Sequence, residues 1–216
     1  NENLFHMPEL PGRLLVIGGG NIGLEMSQAF QRLGSQVTVL ERHDRILAKE
    51  RPEVAALVQQ QLEGEGVRFL TQTSVAAFSD AHTAELESDQ TEEKSLSFDA
   101  VLLAAGREIK YDALELEAAK VKTDKRGWPL LDDYLRSQSN KRIAFAGDAA
   151  HNLLFSHAAE LHTTVLLTNY FTPSPFKKKF KTDHFSWVTF TDPEVATFGL
   201  SEEELKKRGK AYEKLD

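Results

Sequence analysis

Between Arg13 and Phe30 the chain reads RLLVIGGGNIGLEMSQAF. An apolar run, a triple glycine and an amphipathic stretch, in that order, demand a buried strand, a tight turn and a helix. RLLVIG suits a parallel strand covered on both faces, because such a strand meets water on neither side. From Asn21 the apolar residues Ile22, Met26, Ala29, Phe30 and Leu33 recur at helical spacing, and Gly34 stands where a left-handed residue would close the helix. QVTVLE follows as a second β-branched run, so residues 14 to 41 read as a βαβ unit of a parallel sheet.

Gly18, Gly20 and Gly23 have the G-x-G-x-x-G spacing. One glycine serves the tight turn, one lets the backbone approach a pyrophosphate, and one lets helix and strand touch. The phosphates would lie over the helix N-terminus, where free N–H groups and the macrodipole favour negative charge. Glu41, at the end of the next strand, stands where a carboxylate accepts hydrogen bonds from the adenosine ribose. A carboxylate there repels a 2′-phosphate, which favours NAD, while the neighbouring Arg42 and Arg45 keep NADP possible. The rival reading is a plain βα turn whose glycines bind nothing.

Further along, Pro52 fits the first turn of a second helix with apolar positions Val54, Leu57, Val58 and Leu62, and Val67 to Leu70 is a third strand. Ser74 to Phe98 alternates in short runs around DQTEEK, as an antiparallel meander would. DAVLLAAG, Asp99 to Gly106, reads as a buried strand ending in glycine, and RIAFAGD as another after a turn at DKRGWP. A helix is expected from about Ser156 to Phe171, a linker over 172 to 184 with a solvated FKKKFK turn, then one strand and a helix opened by a capping box, Ser201 with Glu204.

Composition narrows the function. Twenty-six basic against thirty-three acidic residues give a net charge of −7, which speaks against nucleic acid or an anionic membrane as partner. With no cysteine, these 216 residues hold neither a disulfide nor a thiolate nucleophile. No signal-peptide pattern and no long apolar run are present, so a cytoplasmic address is expected. His157 and His162 share a helix with Glu160, but no metal-binding pattern accompanies them and no metal site is expected.

LLVIGGGNIGLEMSQAFQRLGSQVTVLE, VLLAAGR, RIAFAGDA and TDPEVATFGLSEEEL, in this order, resemble the pyridine nucleotide-disulfide oxidoreductases, the family of dihydrolipoamide dehydrogenase, mercuric reductase and glutathione reductase. The resemblance implies an α/β fold: a Rossmann-like parallel sheet with an antiparallel β-meander, in a three-layer FAD/NAD(P)-binding architecture, followed by an incomplete α+β interface domain. It implies three segments: an NAD(P)H-binding domain over 1–106, a returning FAD-binding segment over 107–180, and the start of a dimerisation domain over 181–216.

Residue by residue, the resemblance implies that Gly18, Gly20, Asn21, Ile22, Gly23, Glu41 and Arg42 hold the nicotinamide dinucleotide, with Asn21 at a position that often carries an aromatic gate. Glu25 would sit beside the flavin and nicotinamide rings. Gly106 and Arg107 match a glycine-arginine pair at the junction of the nucleotide domains. Gly147 and Asp148, in AGDA, would meet the ribityl and phosphate part of FAD, and His157 and Ala158 would line the flavin side. The implied activity is hydride transfer from NAD(P)H, with NADH favoured, to FAD and on to a disulfide or other acceptor, in a homodimer. Two alternatives stay open: a stand-alone NAD(H)-binding module without catalysis, and a dithiol-less NADH-dependent flavoprotein oxidase or peroxidase.

Overall fold

The computed structural model describes residues 3–214. β1 (Arg13–Ile17), α1 (Asn21–Leu33), β2 (Gln36–Glu41), α2 (Pro52–Gly64) and β3 (Arg68–Thr71) alternate strand and helix. β4 (Thr73–Asp80), β5 (Thr83–Ser88) and β6 (Ser95–Ser97) then form an antiparallel meander, and β7 (Ala100–Leu103) returns to the first sheet. That sheet has the order β3-β2-β1-β7 with every pair parallel, Leu14 lying opposite both Val37 and Ala100.

Side chains of a strand alternate between faces, and each face of this sheet has its own cover. Leu14, Val16, Val37 and Val39 pack on Leu24, Ala55, Val58 and Leu62 of the two helices. Leu15 and Leu40 pack on Ala84, Leu86 and Phe98 from the meander side. Helices, parallel sheet and meander therefore make three layers. Each fully buried leucine or valine at these positions is worth about 1.5–3 kcal/mol relative to exposure.

Two compact units are distinguished: Asn1–Gly106 with Val188–Ala196, and Arg107–Trp187 with Thr197–Asp216. In the first, Gln28 and Arg32 of α1 hold the later segment, Asp192 N–H donating to Gln28 Oε1 at 2.7 Å and Arg32 pairing with the Asp192 carboxylate at 2.8 Å.

The inward face of α1 differs from the one its apolar spacing suggests. Gly23, Leu24, Ser27 and Gln28 are buried, whereas Ile22 and Leu33 are exposed and Ala29 is too. The rotation is set by glycine: a Cβ on Gly23 would lie 2.0 Å from the Gly18 carbonyl oxygen, so this is the side that can press against the turn. Ser27 loses little by burial, because its hydroxyl donates to the Gly23 carbonyl at 2.6 Å. In α2, likewise, Leu57 points to solvent while Ala55, Val58 and Leu62 face the sheet. Gly34 closes α1 in the left-handed region, its N–H on the Gln31 carbonyl.

The second unit has few regular elements. RIAFAGD is not a strand; Ala144 makes a single bridge to Arg136. Turn-forming side chains nearby take up the backbone instead: Asp124 accepts from the Arg126 and Trp128 N–H groups, and Asp132 from those of Tyr134 and Arg136. Tyr111, Val121, Leu135, Phe145 and Ala150 form its core. α3 (Ser156–Phe171) follows. FKKKFK is more than a solvated turn, since Phe180 packs on that core, Lys179 pairs with Asp133 and Asn169 brackets the Lys178 backbone.

After it, two strands stand where one was expected. β8 (Ser186–Thr189) and β9 (Val195–Phe198) pair as a ribbon around the turn at Asp192-Pro193. α4 (Glu202–Lys207) opens on the expected capping box, Glu204 N–H donating to Ser201 Oγ and Ser201 N–H to Glu204 Oε2.

Candidate functional site

The turn between β1 and α1 is built by its glycines. Gly18 has φ +112°, and a Cβ there would lie 2.6 Å from the Ala104 carbonyl oxygen, so no other residue fits between β1 and the end of β7. Gly20 differs: nothing lies within 4 Å of where its Cβ would stand. The loop is thus packed tight on one side and open on the other. Gly20 is also the N-cap of α1 and supplies no side-chain cap, which leaves N–H groups of the first turn for a ligand. The side-chain amide nitrogen of Asn21 is buried and has no hydrogen-bond partner among the described residues.

Glu41, at the C-terminal end of β2, is 9 % exposed and faces this loop. Its Oε2 accepts the Gly19 N–H at 2.8 Å and its Oε1 the His43 N–H at 2.8 Å. The carboxylate therefore fixes both the loop and the chain beyond β2, and still keeps lone pairs for further donors. Arg42 is exposed beside it, with Nε near the His43 ring. Arg45 donates through Nη2 to the Ala48 carbonyl at 3.2 Å, and its Nε is buried without a partner among the described residues. One turn into α1, Glu25 accepts the Phe190 N–H at 2.9 Å; Ile22 is exposed on the helix surface. Gly106 has φ +131° with open space around it and ends the first segment of this unit.

The second unit carries the remaining candidates. Arg107 Nη1 donates to Asp148 Oδ2 at 2.9 Å and to the Leu154 carbonyl at 3.1 Å, joining two loops. Asp148 lies in a short 3-10 helix, Gly147–Ala150, that starts from Gly147 in the left-handed region. His157 and Ala158 occupy the first turn of α3. His157 Nε2 bonds the Ser186 carbonyl at 2.7 Å with its ring stacked on Phe185, and Ala158 is fully buried.

Two residues bear on this short helix that spacing alone does not single out. Tyr111 donates its hydroxyl to the Ala149 carbonyl at 2.9 Å, and His162 accepts the Gly147 N–H on Nδ1 at 3.0 Å. Both sit among apolar neighbours, so burial raises the phenol's pKa and lowers the imidazole's. The only signal in the sequence is a histidine in the middle of a helix that is otherwise apolar on several sides.

The family model described as "Pyridine nucleotide-disulphide oxidoreductase" matches residues 1–164. The chain belongs to this family. Mercuric reductase of Staphylococcus aureus is 33% identical over 211 residues, 97% of this chain and 38% of that protein. Dihydrolipoyl dehydrogenase of Bacillus subtilis is 33% identical over 208 residues, 95% of this chain and 44% of that protein. Among solved structures, the Cu(II) complex of the HOCl-induced flavoprotein disulfide reductase RclA from Escherichia coli superposes with a TM-score of 0.81 at 26% identity, over 96% of this chain and 46% of that one. The chain thus spans less than half the length of these relatives. The pyridine nucleotide-disulphide oxidoreductases are FAD-dependent enzymes that use NAD(P)H, and the α/β fold with its antiparallel meander is theirs.

The residues present fit a dinucleotide. An open flank at Gly20, an uncapped helix N-terminus and an unpartnered Asn21 amide are donors without acceptors, which an oxygen-rich anion supplies. Asp148 is half-exposed and held by one arginine, and α3 has no side-chain cap, so the second unit also leaves polar groups that a flavin nucleotide could engage. No helix among the described residues is long and apolar enough to cross a membrane.

Proposed function

We propose that this chain carries the nicotinamide site and part of the flavin site of an NADH-dependent flavoprotein oxidoreductase whose electrons pass on to a disulfide or another acceptor. The observation that carries the reading is the glycine loop: closed by Gly18 and Gly23 on the protein side, open at Gly20, and tied to Glu41. The two cofactors supply the redox chemistry, a hydride leaving the nicotinamide ring and arriving on the flavin.

The chain's own residues bind and orient. N–H groups of Gly20 to Gly23 would take the pyrophosphate, Asn21 adding its amide. Glu41, already anchored by Gly19 and His43, would accept the ribose hydroxyls, and its charge beside a 2′-phosphate favours NADH over NADPH despite Arg42. Glu25 would stand next to the reacting rings. Arg107, Gly147, Asp148, His157 and Ala158 would hold the flavin side, and Gly106 would let the chain turn between the two. A homodimer in the cytoplasm is the assembly this reading carries with it.

The test is calorimetric titration of the protein with NADH and NADPH, beside Gly20→Ala. NADH should bind at least about tenfold more tightly than NADPH, and the alanine methyl should weaken NADH at least about tenfold while the fold stays intact. NADH affinity unchanged in Gly20→Ala, or no heat with either nucleotide, would sink the reading.

A further inference from the structure

The turn that presents Asp148 is held from inside by a histidine that the proposed function does not use. His162 lies on α3 with no solvent exposure, and its Nδ1 accepts the Gly147 N–H at 3.0 Å. An acceptor nitrogen carries no proton, so the imidazole is neutral and its hydrogen sits on Nε2. That Nε2 is buried and has no partner among the described residues, so a proton added to this ring would find no anion waiting for it.

The held atom matters. Gly147 is in the left-handed region, φ +58°, and opens the 3-10 helix that carries Asp148. A Cβ on Gly147 would come 3.2 Å from Ala159 Cβ, so turn and helix lie against each other. At the far end of the same turn, Tyr111 donates to the Ala149 carbonyl. Besides Arg107 on the Asp148 side chain, the turn's backbone is thus held by one side-chain donor, Tyr111, and one side-chain acceptor, His162, and of these two the imidazole is the one that titrates on the acid side of neutral.

We propose that His162 is a positioning residue for the Gly147–Ala150 turn, holding it in flavin-binding geometry while neutral and releasing it when protonated. The inference rests on the reading that this turn meets FAD. Protonation at Nδ1 replaces the acceptor with a donor, which faces the Gly147 N–H and breaks the bond. Charged and titratable groups on the surrounding elements are Asp148 on the turn with its partner Arg107, His151 at the end of the turn, His157 and Glu160 on α3, and the Lys179–Asp133 pair beside Phe180, whose ring meets the imidazole edge to face at 4.5 Å. Burial is the cause that lowers the imidazole's pKa, with no carboxylate acting against it. The neutral form is therefore the resting one, and the transition falls on the acid side of an ordinary histidine.

Flavin dissociation from the protein, followed by FAD fluorescence from about pH 7.5 down to pH 5, tests this together with His162→Asn and His162→Leu. Asn offers an oxygen near the Nδ1 position and does not titrate. The parent should release FAD about tenfold more readily at the acid end, a loss on the scale of one hydrogen bond. His162→Asn should bind FAD nearly as the parent does at pH 7.5 and lose that pH dependence; His162→Leu should bind about tenfold more weakly throughout. If His162→Asn keeps the parent's pH profile, or His162→Leu binds as the parent does, the proposal is wrong. Amide hydrogen exchange at Gly147 in the flavin-free protein separates this from a failure of the FAD reading. Protection lost in His162→Leu and kept in His162→Asn supports the latch even where no FAD binds, and protection equal in all three overturns it.

Discussion

Glu41 Oε2 accepts the Gly19 N–H at 2.8 Å across the sheet end, so the carboxylate expected to meet the ribose is also a strut of the glycine loop. Its second oxygen takes the His43 N–H. Glu41→Gln keeps one acceptor but turns an NH2 group toward the other N–H, so it should cost about 1–3 kcal/mol in urea unfolding. Removing the charge should also move the NADH-to-NADPH affinity ratio toward NADPH by about tenfold. A variant as stable as the parent would show that the strut is dispensable, and an unchanged ratio that the charge does not discriminate.

The two ends of the glycine motif should separate fold from binding. Gly23→Ala sets a methyl 2.0 Å from the Gly18 carbonyl oxygen, which is backbone and cannot swing away. Loss of several kcal/mol, or failure to fold, is expected, since helix and strand would have to part. Gly20→Ala meets nothing within 4 Å and has φ −85°, so it should cost no more than about 1 kcal/mol, the difference between glycine and alanine at an N-cap. Thermal melts of both variants check the contrast; equal destabilisation would mean that the open flank at Gly20 is not open in solution.

The same contrast explains how much of the molecule was legible in the sequence. The βαβ unit, the meander, Gly34 as a helix stop and the Ser201–Glu204 box follow from local chemistry, which the chain carries wherever it sits. The buried face of α1 was misread because it is decided by a backbone contact, Gly23 on Gly18, that weighs more than the apolar count of Ile22, Ala29 and Leu33. RIAFAGD was misread for a related reason: its apolarity suits a core residue like Phe145, and a strand also needs partners, which Asp124 and Asp132 withdraw into turns. Spacing places Glu41 at the end of β2, but not its bond to Gly19, nor the His162 acceptor, because both pair residues that only the fold brings together.

Arg107 joins Asp148 and the Leu154 carbonyl through one Nη1, with both charged side chains about two-fifths exposed. An ion pair that open contributes at most about 1 kcal/mol, so Arg107→Met should melt close to the parent. Its role should appear in the cofactor instead: with Asp148 unheld, FAD affinity measured by fluorescence should fall about tenfold. A large drop in melting temperature with FAD affinity unchanged would assign Arg107 to stability alone.

Glu65, just past α2, gathers donors from three side chains: Arg32 twice at 2.7 Å, Gln28 at 2.9 Å and Gln61 at 3.0 Å. The Arg32 hydrogen bond is the main reason its carboxyl is held down to about 2 against an ordinary 4.5. Because the folded-state value lies below the unfolded one, the unfolded chain takes up the proton first as the solution is acidified. The stabilisation is therefore complete above about pH 4.5 and lost as pH falls toward about 2. Arg32 is half-exposed, so solvent and salt screening keep the effect small. Arg32→Gln should accordingly unfold in less urea than the parent at neutral pH, with a gap that closes through the acid range. A gap of constant size down to about pH 2 would mean that Arg32 stabilises the protein through contacts that do not titrate, and not through its carboxylate partners Glu65 and Asp192.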